Sequence, residues 1–212
     1  MSTTTATRPH GVSGVKGFSL IQLFKAGGFI AGAILIAFGV VAIAMGFNGR
    51  STVRDSLGLE KIVGSDDMTP AAIKKEAQEA GLTGITFPTK SVAGQSIDTG
   101  AEAKTFAEYM RIHALESTGG LTYAEMGRFA TADGKAIGTN DPAKAVTDES
   151  GQPVSNGARN IWVTETALTT ALNVSYMAEQ LALFGAVVGI ALLLSGIGFI
   201  VLAYAGLQRR PK

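Results

Sequence analysis

Two stretches of the chain carry no charged residue: 24 positions between Lys25 and Arg50, and 29 between Glu179 and Arg209. Apolar side chains fill both without a polar stripe, from Phe29 to Met45 and from Leu181 to Leu207, so neither stretch has a face to turn toward water. As helices rising 1.5 Å per residue they reach about 36 and about 43 Å, against roughly 30 Å of bilayer hydrocarbon. The pattern predicts two transmembrane helices, over 26–49 and 180–208. Helices apolar all round would otherwise need a large soluble domain to bury them, and the remaining chain is too small and too polar. Ala42-Ile43-Ala44 has the small-x-small form of a signal-peptide cleavage site. The apolar stretch around it exceeds the roughly 7 to 15 residues of a signal h-region, so an uncleaved anchor is expected.

Between the spans the pattern changes to short amphipathic helices with marked ends. Thr69 as N-cap, Pro70 in the first turn and Gly81 as a stop predict a helix over about 70–80, with Ile73, Ala77 and Ala80 on its inner face. Gly84 to Lys90, with Pro88, reads as an extended edge or short strand. A capping box, Thr99 with Glu102, opens a helix over about 100–118, whose buried face carries Ala103, Phe106, Ala107, Met110 and Ala114. A second box, Thr122 with Glu125, opens a third helix over 122–129 that returns Tyr123 and Met126 to the second.

The 28 residues from Ala130 to Gly157 hold only Ile137, Val146 and Val154 as large apolar side chains. They read as a flexible linker, with bends at Asp133-Gly134 and Asn140-Asp141-Pro142; an arm that orders on a partner is the alternative. After a cap at Asn156 or Asn160, the helical pattern continues through 158–179 into the second span, one helix of roughly 75 Å. Ile161, Leu168 and Leu172 form its stripe, interrupted by Glu165, and Trp162 is placed as a core or interface anchor. The fold class is therefore mainly α: an integral membrane protein with two transmembrane helices and a small helical extracytoplasmic domain over 50–179, the second span extended outward as a long helix.

Charge orients this layout. The 18 basic and 17 acidic residues nearly cancel, yet all 17 acids lie between the spans, against 12 bases there. The segments 1–25 (Arg8, Lys16, Lys25) and 209–212 (Arg209, Arg210, Lys212) carry bases and no acid, so both are expected in the cytoplasm of a cell whose plasma membrane the chain crosses twice. Phe18, Leu20, Ile21 and Phe24 either form a short helix on the inner membrane surface or begin the first span.

Gly28 with Gly32, and Gly185 with Gly189, have the small-x-x-x-small spacing that lets membrane helices approach closely. The spans run in opposite directions, so the two pairs sit at opposite faces of the bilayer. Gly28 and Gly32 should face the level of Gly198 to Gly206, leaving Gly185 and Gly189 for Gly46 or for another subunit. With Trp162 and Tyr176 these glycines are the candidate interface residues.

Composition removes several kinds of chemistry. Without cysteine there is no thiol nucleophile, iron–sulfur cluster, zinc ribbon or c-type haem, and two histidines leave little for an imidazole site. The spans lack the ionisable groups of ion and proton paths. The intervening segment has no Gly-x-Ser-x-Gly elbow, phosphate-cradling loop or His-Glu-x-x-His, and its net negative charge argues against nucleic acid. His113 and Glu116 are read as a solvated pair on a helix surface, Asp66-Asp67 and Asp148-Glu149 as solubilising acids. No catalytic, cofactor-binding or metal site is expected, and no enzyme.

The segment His113-Ala-Leu-Glu-Ser-Thr-Gly-Gly-Leu-Thr-Tyr-Ala-Glu125, with Arg159-Asn-Ile-Trp-Val-Thr-Glu-Thr-Ala-Leu and the flanking spans, resembles a family of actinobacterial two-span membrane proteins commonly labelled aromatic ring-opening dioxygenase. The resemblance covers about two-thirds of the chain and brings no mechanism with it. The label implies iron held by two histidines and a carboxylate. This chain cannot build that set, because the expected topology puts His10 and His113 on opposite sides of the bilayer. The expected function is a non-catalytic accessory or structural subunit of a larger bacterial membrane complex, respiratory or cell-envelope. Its partners would be other integral membrane subunits and the lipid bilayer, with a homo-oligomer also open. The alternative is a stand-alone envelope protein that senses or binds a ligand with its outer domain.

Overall fold

The computed structural model describes residues 20–208 as four α-helices: α1 (Leu20–Glu60), α2 (Pro70–Glu79), α3 (Gly100–Ser117) and α4 (Gly157–Gln208). Two single 3-10 turns, Tyr123–Glu125 and Pro142–Lys144, stand between α3 and α4. The basic residues Arg8, Lys16, Arg209, Arg210 and Lys212, together with His10 and Phe18, lie outside the described residues. Leu20 to Lys25 form the first turns of α1 itself and not a separate helix.

Both α1 and α4 are long and apolar enough to cross a membrane. Only 11% of the most apolar window of α1 and 17% of that of α4 are buried, which is the opposite of a soluble core helix. The chain divides into two compact units, one built from α1 up to Val41 and α4 from Gly189, the other from Ala42 to Val188.

In the first unit the two helices touch backbone to backbone. A Cβ placed on Gly32 would lie 2.7 Å from the Gly196 carbonyl oxygen, and one on Gly196 would lie 2.6 Å from that of Gly32. Gly39 meets the Gly189 carbonyl in the same way, at 2.7 Å. Such close approach brings dispersion contacts along both backbones, the kind of contact that can hold apolar helices together without a hydrophobic drive. Phe38, Leu194, Phe199 and Leu202 remain outward and exposed.

The glycine contact can be tested by crosslinking, because the chain has no cysteine of its own. A Cβ on Gly28 would stand 3.2 Å from that of Ala203, close to disulfide spacing. Gly28→Cys with Ala203→Cys is expected to crosslink in isolated membranes. Adding Gly32→Leu should cut the crosslinked fraction severalfold, and an unchanged fraction would show that the helices do not meet there.

In the second unit α1 runs on past the predicted end at 49, because Val53 and Leu57, one turn apart, pack onto a core below it. That core joins Leu57, Ile73 of α2, Val92 and Ile97 of the intervening segment, Phe106 and Tyr109 of α3, and Leu172 of α4. The helix starts follow the expected chemistry. Thr69 Oγ1 accepts from Ala72 N–H, and at α3 Thr99 and Glu102 exchange side-chain and backbone hydrogen bonds. Burial tends to raise the Glu102 carboxyl, and the hydrogen bonds from Thr99 and Asp98 outweigh it, leaving the group below its ordinary value.

Several expectations are corrected in this unit. The 84–90 segment forms no strand; the extended pairing lies later, in isolated bridges Val63 to Ser96 and Gly64 to Ala93. On α3, Tyr109 and Ile112 are buried while Met110 is only half-buried. The 90–97 segment covers that flank, and Tyr109 Oη donates to the Lys90 carbonyl at 2.9 Å. Burial, with Glu108 beside it, raises the Tyr109 hydroxyl above its ordinary value. The third helix is one turn, with the Glu125 carboxylate accepting from Thr122 N–H and Oγ1. It ends at Met126 because Gly127 runs against the Thr139 backbone and starts a hairpin.

The 130–157 segment is folded and not a linker. Phe129 and Thr139 exchange backbone hydrogen bonds at 2.9 Å, and Ala130, Val146 and Val154 continue the ladder. Asp133 and Asp148 close its bends, Asp148 Oδ1 accepting from Ser150 Oγ and from the Ser150 and Gln152 N–H groups. Those bonds, first from Ser150, hold the Asp148 carboxyl below its ordinary value. Asn156 ties the hairpin to α4: buried, it donates to the Gly127 and Ala136 carbonyls and accepts from Ala158 N–H as the N-cap. Counting large apolar side chains misses such a segment, because backbone and Asx hydrogen bonds hold it.

Candidate functional site

Three clusters of charged and polar side chains stand out in the second unit, two of them around a buried carboxylate and one half-buried, and each joins elements far apart in the sequence. The first lies where the charge-free stretches end. Arg50 Nη2 stands 3.2 Å from Glu179 Oε1, and the other carboxylate oxygen accepts from Gly100 N–H, the first amide of α3, at 2.9 Å. Glu179 thus balances a guanidinium from α1 and satisfies one of the orphan donors at the α3 N-terminus. Gly100 permits this: a Cβ there would lie 2.8 Å from both the Glu179 carboxylate and the Tyr176 Cα. Tyr176 lies half-buried beside it, with Lys104 Nζ 4.9 Å from its ring centroid.

The second cluster surrounds Trp162, which is buried with Ala114 of α3 and Met126. The Arg111 guanidinium lies 4.0 Å over the indole and 3.6 Å from the buried Glu165 carboxylate. Glu165 therefore does not break the α4 stripe toward solvent. It turns inward, and its Oε1 is buried with no hydrogen-bond partner among the described residues. Arg159 lies 4.0 Å over the exposed Tyr123 ring.

Two grooves flank this cluster. One of about 530 Å³ is lined by Tyr123, Trp162, Val163, Thr166, Ala167 and Thr170. The last four follow i, i+3, i+4, i+7 spacing, so they form a single uncovered stripe of α4. The other, about 390 Å³, opens on the opposite side of α4 between Glu165, Ile161, Met110 and His113.

The third cluster is at His113 of α3. Its Nε2 stands 3.8 Å from Asp67, just before α2, and 3.9 Å from Glu76 within α2. Glu116, the neighbour that the sequence pairs with His113, is exposed and forms no ion pair with it among the described residues.

Of the candidate interface residues, Gly28 packs against Ala203, inside the expected 198–206 stretch, and Gly32 against Ile200 and against Gly196, which lies before that stretch. Gly189 is not left over: its carbonyl receives Gly39. Gly46 meets Ala182 and Ala186, and Gly185 faces no atom within 4 Å of a built Cβ. Trp162 is buried. The carboxylates of Glu179 and Glu165 were missed as buried partners, although Glu179 had marked itself as the acid bordering a 29-residue uncharged run.

The chain matches no protein-family model, and comparison with curated proteins and with solved structures finds no match either.

Proposed function

We propose that this chain is a non-catalytic accessory or structural subunit of a larger bacterial membrane assembly, respiratory or cell-envelope. In this reading α1 and α4 cross the plasma membrane, both termini are cytoplasmic, residues 50–179 lie outside, and the partners are other integral membrane subunits. Kinship with the actinobacterial two-span family belongs to the same proposal and rests on the 113–125 and 159–168 segments.

The observation that carries it is the uncovered stripe of α4 outside the charge-free stretch. Val163 is 51% exposed and shares a groove with Ala167, Thr166 and Thr170, beside the exposed Tyr123. An apolar helix face left open next to a membrane span fits a second protein better than water, and the adjacent Trp162 and Tyr123 are the residue types that anchor interfaces. Gly185, with open space before it, offers the corresponding small-residue surface on the span.

Affinity purification of the tagged chain in mild detergent tests the proposal, with mass spectrometry of what stays bound. A stoichiometric set of membrane-complex subunits is expected with the native sequence and should be lost with Ala167→Arg, which places a charge in the groove. Recovery of the chain alone across several detergents would overturn the accessory role and favour the stand-alone envelope protein, whose groove would hold a ligand.

A further inference from the structure

The geometry points to a divalent transition-metal site formed by His113 Nε2 with the carboxylates of Asp67 and Glu76. The three donor atoms lie within 4.8 Å of one another, His113 Nε2 being 3.8 Å from Asp67 Oδ2 and 3.9 Å from Glu76 Oε2. An ion at the centre of a triangle with those sides lies no more than about 2.5 Å from each corner. Zinc binds imidazole and carboxylate at roughly 2.0–2.2 Å, so side-chain shifts of a few tenths of an ångström close the shell.

A second observation separates this cluster from an ordinary surface ion pair. Nε2 of His113 is buried and has no hydrogen-bond partner among the described residues, although two carboxylates flank it almost equally. A charged ring would draw one of them to the roughly 2.7–2.9 Å of a charge-assisted hydrogen bond, and an uncharged one leaves a desolvated nitrogen unsatisfied. A cation between the three groups satisfies all of them at once. Ser65 Oγ donates to Asp67 Oδ1, which leaves Oδ2 of that carboxylate for the ion.

The donor set also names the class of metal. One imidazole nitrogen with two carboxylate oxygens suits zinc and its neighbours, whereas calcium takes six to eight oxygens. The ligands come from the turn before α2, from α2 and from α3, so the ion would clamp the two helices together. The three side chains keep 26–40% of their surface, leaving room for water on the outer side of the ion.

The test uses the full chain in detergent, stripped of metal and titrated with Zn²⁺ by calorimetry, with the unfolding midpoint followed in parallel. One ion per chain is expected, with a rise in midpoint as the metal saturates the folded state. His113→Ala, Asp67→Asn and Glu76→Gln should each weaken binding about tenfold or more and abolish the rise, while Glu116→Gln changes neither. Glu76→Gln is nearly isosteric and keeps the comparison valid should His113→Ala fold poorly, which its metal-free midpoint reveals. Absence of stoichiometric binding, or binding that Glu76→Gln and His113→Ala leave unchanged, overturns the site and marks any uptake as adventitious. Either outcome is independent of whether the chain co-purifies with partners.

Discussion

Trp162→Ala is expected to cost about 3–5 kcal/mol of stability, the usual range for removing a buried aromatic ring. The indole is 5% exposed and packs with Ala114 of α3 and Met126, so its loss opens a cavity where three segments meet. It also removes the surface on which the Arg111 guanidinium rests at 4.0 Å. Arg111 is the cation nearest the buried Glu165 carboxylate, and a less well-placed Arg111 leaves that charge desolvated and poorly balanced. For a chain of this length the unfolding midpoint should fall by roughly 6–20 °C. Thermal unfolding in mild detergent reads the shift, and limited proteolysis at Arg128 and Lys135 reads the release of the hairpin. Trp162→Phe, which keeps a ring under Arg111, should lose less than half as much. A wild-type midpoint in Trp162→Ala would mean that the ring does not hold α3 and α4 together.

The second large effect is expected at Glu179. Glu179→Ala removes the partner of Arg50 and the acceptor of Gly100 N–H together, which at about 1.5–3 kcal/mol per hydrogen bond to a charged group predicts a loss of about 3 kcal/mol. Arg50 is partly open to water and can rehydrate, whereas the Gly100 amide is buried and cannot. Glu179→Gln keeps an acceptor for the amide and gives up the charge, so its loss should be intermediate. A double-mutant cycle with Arg50→Met isolates the pair, and a coupling of about 1–2 kcal/mol is expected. Additive losses would show that the two residues do not act on each other. The cluster joins α1, α3 and α4, so the same substitution should speed hydrogen exchange at the start of α3 while sparing the interior of α2.

Much of the helical framework is legible in the linear pattern. The N-caps at Thr69 and Thr99 are local devices whose hydrogen bonds close within three residues, so their sequence signature and their structure coincide. The long α4 follows from an unbroken helical pattern after Asn156, and the approximate level at which Gly28 and Gly32 meet α4 follows from the antiparallel sense of two apolar helices. The readings of 84–90 as an extended edge or short strand, and of a third helix over 122–129, concerned short segments whose local preference is worth little. No bridge forms within 84–90, and after Glu125 the backbone pairing of Gly127 and Phe129 with the distant Ile137 and Thr139 takes the chain out of the helix. The 130–157 segment belongs with them, since its stability resides in backbone and Asx hydrogen bonds that a count of apolar side chains does not register.

What belongs to the chain's linear order, then, is the pair of apolar helices, their charge-free lengths and the capped ends of α2 and α3, because hydrophobic run length and capping act within a few residues. Which charges meet was settled only in three dimensions. Glu179 reaches Arg50 across 129 positions, and it caps Gly100 across 79. His113 faces Asp67 and Glu76 while Glu116, three residues away, points to solvent. Coulombic and hydrogen-bond partners are chosen by packing, which brings remote residues within 4 Å, and no periodicity along the chain encodes that choice.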